Sequence, residues 1–181
     1  MKQTSRLALC GVFSAVAVTV LLATIFPFAT YALPPLAGAF FIPLVIECGK
    51  RWALGAYAAV SLLALLLVPD LEAKMLFIGF FGYYPIVKAM FESFGNRLLE
   101  WLAKLVLFNA AVVLSYAILS VVGFRLQEFA VEGVALGLPV FLALFLLTGN
   151  VIFILYDIGL TRFLPTYFAR FRPMLRRMFH N

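Results

Sequence analysis

Few side chains in this chain have types that can do chemistry. The single histidine is His180, next to the last residue, and the carboxylates are Glu47, Asp70, Glu72, Glu92, Glu100, Glu128, Glu132 and Asp157. Hydrolytic and transfer reactions need a nucleophile, a general base or a metal ligand set within mutual reach. The sequence holds no HExxH pair, no Cys and His at zinc spacing, and no glycine-rich phosphate loop followed by a lysine. These absences argue against an enzyme, call for no cofactor and no metal, and leave the chain without a P-loop of its own. Uphill transport would have to draw on a partner or an ion gradient.

The elements that carry these residues are apolar. Of 181 residues, 65% are hydrophobic and 12% charged, against about 25% charged in an average soluble domain. The hydrophobic residues come in long runs. That composition excludes a soluble globular enzyme, a disordered regulator and a nucleic-acid binder acting through its +6 net charge. It predicts an all-α integral membrane protein with a single transmembrane domain. About 20 apolar residues cross the hydrocarbon core, and six spans are expected: 7–26, 34–48, 52–68, 75–90, 101–122 and 134–156. Pro27 ends the first, Pro34–Pro35 restarts the chain, and Lys50–Arg51 turns it between the second and third. Pro69–Asp70 closes the third, and Ser93–Asn96 the fourth. Lys2 and Arg6 precede a stretch longer than a signal-peptide core, so the first helix is expected to be retained.

Counting cations orients the bundle. With the N-terminus inside, Lys2, Arg6, Lys50, Arg51, Lys88, Arg97, Lys104, Arg162, Arg170, Arg172, Arg176 and Arg177 are cytoplasmic, and only Lys74 and Arg125 lie outside. This is a strong positive-inside signal. It places both termini in the cytoplasm and the chain in the plasma (inner) membrane. Cys10 and Cys48 then sit near inner helix ends, where a structural disulfide is not expected. Spans two and four are short, with Pro43 and Pro85 inside them. At 1.5 Å per residue they reach roughly 22–24 Å, which fits local bilayer thinning, a partly lined cavity or ordinary packing irregularity.

Depth along the spans suggests pairings. Asn109 and Asn150 fall at similar distances from the inner ends of spans five and six, where an interhelical amide hydrogen bond is expected. Glu47 with Lys88, and Asp157 with Lys104, share the inner ends of their spans and are expected to pair structurally. No ladder of charges crosses the apolar middle, which argues against a proton pump or charged-ion channel. A ligand site in the outer half would draw on Tyr31, Asp70, Glu72, Lys74, Tyr83, Tyr84, Tyr116, Arg125 and Glu128. Phe77, Phe80, Phe81, Tyr83 and Tyr84 crowd onto span four, and most such rings are expected simply to pack or face lipid.

Span one carries small residues at helical spacing: Ala8, Gly11, Ser14 and Ala15. Gly11 and Ala15 form a small-xxx-small pair that lets another helix come close, inside the bundle or at a subunit interface. Residues 157–181 form a basic, aromatic cytoplasmic tail in which Arg162, Arg170, Arg172, Arg176 and Arg177 alternate with rings. Such a segment suits an anionic lipid interface or a cytoplasmic partner.

Taken as a whole, six helices with inner termini and small residues on helix one, here Gly11 and Ala15, resemble the substrate-binding S components of energy-coupling factor (ECF) transporters. The resemblance covers the entire chain at the level of architecture. It implies a subunit for vitamin or other micronutrient uptake that captures a small organic substrate at the outer face. A transmembrane coupling subunit and two ATPases then drive release inward. It also implies that Gly11, Ser14 and Ala15 face the coupling subunit, and that loops 27–33, 69–74 and 123–133 close over the ligand. Two other readings stand beside it. One is a structural protein of the cell-shape machinery, similar to the small MreD-type proteins. The other is an interfacial enzyme or lipid carrier using Glu47, Lys88 or Asp157 in an open cytoplasmic cleft.

Overall fold

The computed structural model describes residues 2–26, 29–121 and 138–173, with the backbone alone at 116, 119–121 and 138–142. Every regular element among the described residues is helical. Helix α1 spans Gln3–Leu22 and ends in a short 3-10 turn, Ala23–Ile25. Helices α2 (Leu33–Ala39) and α3 (Phe41–Glu47) follow, then α4 (Lys50–Leu67), α5 (Leu71–Leu76), α6 (Tyr84–Phe91), α7 (Arg97–Val121) and α8 (Leu138–Thr166). Four stretches are long and apolar enough to cross a membrane: Gln3–Ile25, Lys50–Leu67, Arg97–Ser115 and Ala143–Phe171. They correspond to spans one, three, five and six.

The two short spans are broken helices. Span two divides at Phe40 into α2 and α3. Pro34 and Pro35 begin α2, where a missing N–H costs nothing. Pro43 lies in the first turn of α3 and cannot donate back to Ala39, so the ladder is interrupted there. Span four passes from α5 through a π turn, Phe77–Phe81, before α6 begins at Tyr84. Pro85 removes the donor for the Phe81 carbonyl, four residues earlier. That carbonyl lies directly against Gly38, where a Cβ on α2 would overlap it. Nearby, the Tyr57 hydroxyl donates to the Ile78 carbonyl at 2.7 Å. The broken segments therefore meet backbone to backbone, and α4 supplies part of the missing hydrogen bonding.

Span six extends beyond its expected limit. Helix α8 continues unbroken past residue 156 to Thr166 and passes into a second π turn, Tyr167–Phe171. The part of the tail that is described is thus a continuation of the last helix, and residues 174–181 lie outside the described residues.

Two apolar cores fill the bundle. One joins α1 to α4, with Leu9, Leu21, Phe41, Leu44, Val60 and Phe77 buried in it. The other joins the π turn and α6 to α7 and α8 through rings. Phe80 stacks on Tyr84 at 4.8 Å, and Phe108 lies parallel to Phe153 at 4.8 Å. The crowded aromatics of span four mainly pack: Phe77, Phe80, Phe81 and Tyr84 are all buried.

Candidate functional site

Polar side chains gather at the two ends of the bundle. We call the end formed by the α1–α2 and α4–α5 links apical, and the end where α3, α6 and α8 finish basal.

At the apical end, two links are tied across the fold. Thr30 donates to Asp70 Oδ2 at 2.6 Å, and the Tyr31 hydroxyl donates to Glu72 Oε2 at 2.7 Å. Asp70 caps α5 by accepting from the Glu72 and Ala73 amides, as expected of an acid at a helix N-terminus. Lys74 donates to the Val68 carbonyl at 3.1 Å. The hydrogen bond to Glu72, followed by partial burial, raises the Tyr31 phenol from its ordinary 10.0 to about 12. Tyr31, Asp70, Glu72 and Lys74 are therefore brought together. Tyr83 lies deeper, edge-on to Tyr57 at 5.8 Å and to Phe80 at 6.1 Å. Tyr84 leaves this set altogether: it is buried, and its hydroxyl donates to Asp157 toward the basal end. The Tyr116 side chain, Arg125, Glu128 and loop 123–133 lie outside the described residues.

Toward the basal end is a buried ionic network. Asp157 is its hub, with Oδ1 accepting from Lys88 at 2.6 Å and from Tyr84, and Oδ2 accepting from Lys104 at 3.1 Å. Lys88 also reaches Glu92 at 2.6 Å and Thr161 at 2.9 Å. Lys104 reaches Glu100 at 2.6 Å and lies 3.5 Å from Glu92. The three hub side chains are each no more than 5% exposed. Each ammonium thus faces three oxygen atoms, which matches its three protons. A closed network of this kind has no spare donor for a ligand. What it can do is lock α6, α7 and α8 together, with Glu92 (37% exposed) as its contact with the surroundings.

The Asp157–Lys104 pairing agrees with its sequence reading, and Glu47–Lys88 does not. Glu47 instead accepts from Arg172 Nε at 2.9 Å and from the Tyr167 hydroxyl at 3.4 Å. The continuation of α8 brings Arg172 to the end of α3, while Lys88 faces α8 one level deeper. The sequence reading also missed Glu92, Glu100 and Thr161. Their signal was the i,i+4 spacing of Lys88–Glu92, Glu100–Lys104 and Asp157–Thr161, which places each pair on one helix face.

Between the two ends, Asn109 and Asn150 exchange reciprocal amide hydrogen bonds of 3.0 Å each, as their depths implied. On α1, Gly11 and Ala15 are exposed and Ser14 is half-buried. Among the described residues a Cβ added at Gly11 would meet nothing within 4 Å, so none of the described helices packs closely on this position. Cys10 and Cys48 are free thiols and buried. Among the described residues no group of three or more His, Cys, Asp or Glu could hold a metal. Compared with known proteins, the chain matches no family model, no curated protein and no solved structure.

Proposed function

We propose that the chain is the substrate-capturing subunit of an ECF-type micronutrient importer in the plasma membrane. In this reading both termini are cytoplasmic, the apical end faces outward, and a small organic molecule binds there. Inward release depends on a transmembrane coupling subunit and two ATPases.

The observation that carries the reading is the contrast between the two ends. The basal network ties three helices with short, buried ion pairs. Among the described residues the two apical links are joined by two side-chain hydrogen bonds, Thr30–Asp70 and Tyr31–Glu72, the second of them exposed. Each has a carboxylate acceptor and is worth about 1.5–3 kcal/mol net, less than the loss of about 3–5 kcal/mol when a buried ion pair is broken. A bundle fixed at one end and lightly latched at the other suits a protein that admits a ligand apically. The small-residue face of α1, with Gly11 and Ala15, suits a close helix–helix contact with a coupling subunit.

The interfacial-enzyme reading is less well supported. It needs Glu47, Lys88 and Asp157 in an open cleft, whereas Lys88 and Asp157 are buried in a saturated network and Glu47 is bound to Arg172.

The test is affinity purification of the tagged chain from its native host in mild detergent, with mass spectrometry of the proteins that accompany it. A membrane coupling subunit recovered with paired ATPases supports the importer. Cell-wall or shape proteins recovered without ATPases would replace it with the scaffold reading.

A further inference from the structure

Helices α1 and α4 begin at the basal end and pack along each other. The Cys48 thiol lies 3.9 Å from the Arg6 carbonyl, which sets the α3–α4 turn beside the first turns of α1. Lys50 and Arg51 follow that turn as the first two residues of α4, while Lys2 is the residue before α1. Four cations, Lys2, Arg6, Lys50 and Arg51, are therefore collected around two neighbouring helix starts.

Among the described residues no internal group balances them. Among the described residues none of the four takes part in an ion pair. The nearby carboxylate, Glu47, is already held by Arg172 and Tyr167. Arg6 Nε is shielded from solvent and has no hydrogen-bond partner among the described residues. Neither α1 nor α4 has a side-chain cap or an acid in its first turn. Of the other helices, α5 is capped by Asp70, and α7 has Asn96 accepting from the Leu98 amide and Glu100 in its first turn, whereas α2, α3 and α6 lack both but carry no cation in their first four residues. Cations at the positive end of a helix dipole are unfavourable unless an external anion lies there. Half-buried Trp52, next to Arg51, is a residue type favoured at the headgroup level of a bilayer.

We propose that this surface binds the phosphate of an anionic phospholipid headgroup. The inference rests on the chain being embedded in a membrane, and does not depend on which micronutrient, if any, it carries.

The test uses the full chain in nanodiscs of phosphatidylglycerol mixed with phosphatidylcholine, followed by native mass spectrometry of retained lipid. Selective retention of phosphatidylglycerol is expected. A variant with Arg6→Gln, Lys50→Gln and Arg51→Gln should lose that selectivity by about fivefold or more, given the strength of a single cation at an anionic surface. Arg97→Gln, an exposed cation at the start of α7 where the Asn96 cap and Glu100 already lie, should change it much less. The charge-conserving Arg51→Lys should retain it, which separates lost charge from lost folding. Equal retention of the two lipids, or a triple variant that behaves like wild type, would overturn the proposal. Displacement of the lipid by millimolar inorganic phosphate would also overturn it, in favour of a free-anion site. Release of the chain from membranes by carbonate would overturn the membrane reading itself, whereas an embedded chain without lipid preference overturns only this inference.

Discussion

Lys88 and Asp157, 69 residues apart in sequence, meet at 2.6 Å with side chains 5% and 3% exposed. A second ammonium, Lys104, holds the other oxygen of the same carboxylate. Removing one member of a buried ion pair strands the other and costs about 3–5 kcal/mol. Asp157→Asn leaves two buried ammoniums facing a neutral amide and should lower the thermal unfolding midpoint in detergent sharply. Glu92→Gln, at a more exposed position, should lower it much less. Equal effects from the two substitutions would remove Asp157 from the centre of the network.

The reciprocal Asn109–Asn150 contact predicts a measurable coupling. Interhelical polar contacts in membrane bundles are worth about 0.6–2 kcal/mol. A double-mutant cycle with Asn109→Leu and Asn150→Leu should return a coupling energy in that range from unfolding in mixed detergent. Strict additivity would mean that each amide is served well enough by its own helix, through the carbonyls of Leu105 and Leu146.

Gly38 and the Phe81 carbonyl are in direct backbone contact. Gly38→Ala must push α2 away from the π turn, which is overpacking at a site with no side chain able to yield. A loss of about 1–3 kcal/mol is expected, seen as a lower unfolding midpoint. The control is Gly11→Ala, where the added methyl meets open space and stability should not fall. If Gly38→Ala unfolds at the wild-type midpoint, the close approach of the broken helices is wrong.

The apical latch should respond to alkali. Tyr31 ionises at about 12 rather than 10.0 because its neutral hydroxyl donates to Glu72. A raised folded-state value means that the contact is fully present below the ordinary tyrosine range and is lost as pH rises through about 12. The ultraviolet tyrosinate titration of wild type minus that of Tyr31→Phe should isolate this transition. Glu72→Gln should move it back toward the ordinary value. A Tyr31 transition unchanged by Glu72→Gln would mean that the hydroxyl is not held by that carboxylate.

The long helices were legible in the sequence because their apolar runs are uninterrupted. The observed Lys50–Leu67 differs from the expected 52–68 only at its edges. The breaks in spans two and four were signalled by length and by Pro43 and Pro85, but their form was not. A π turn at Phe77–Phe81 depends on what meets it, here Gly38 and Tyr57, from elsewhere in the chain. Depth was legible and rotation was not. Counting from helix ends paired Asn109 with Asn150 and Asp157 with Lys104 correctly, since each pair lies on adjacent helices. The same count paired Glu47 with Lys88, two groups at one end that face different neighbours. Span six was expected to end at 156, just before Asp157, and an isolated acid is costly in an apolar helix. With two lysines and a tyrosine hydroxyl around it that cost is offset, and the helix runs on. Tyr84 was assigned outward on composition alone, because nothing in its own segment reveals a carboxylate 73 residues later.

The face of α1 gives the prediction most directly tied to the proposed function. Gly11 and Ala15 are exposed, and Gly11 has no atom near its missing side chain. Gly11→Leu and Ala15→Leu should therefore leave the thermal midpoint of the isolated chain close to wild type. In the presence of a coupling subunit, the same bulk would block close helix approach, which small residues permit. Co-purification of that subunit and its ATPases should fall severalfold for either variant, while Leu54→Ala, on an exposed part of α4, should leave it intact. Full recovery of the complex with both leucines in place would show that α1 does not form the interface, and would direct the search to another exposed face of the bundle.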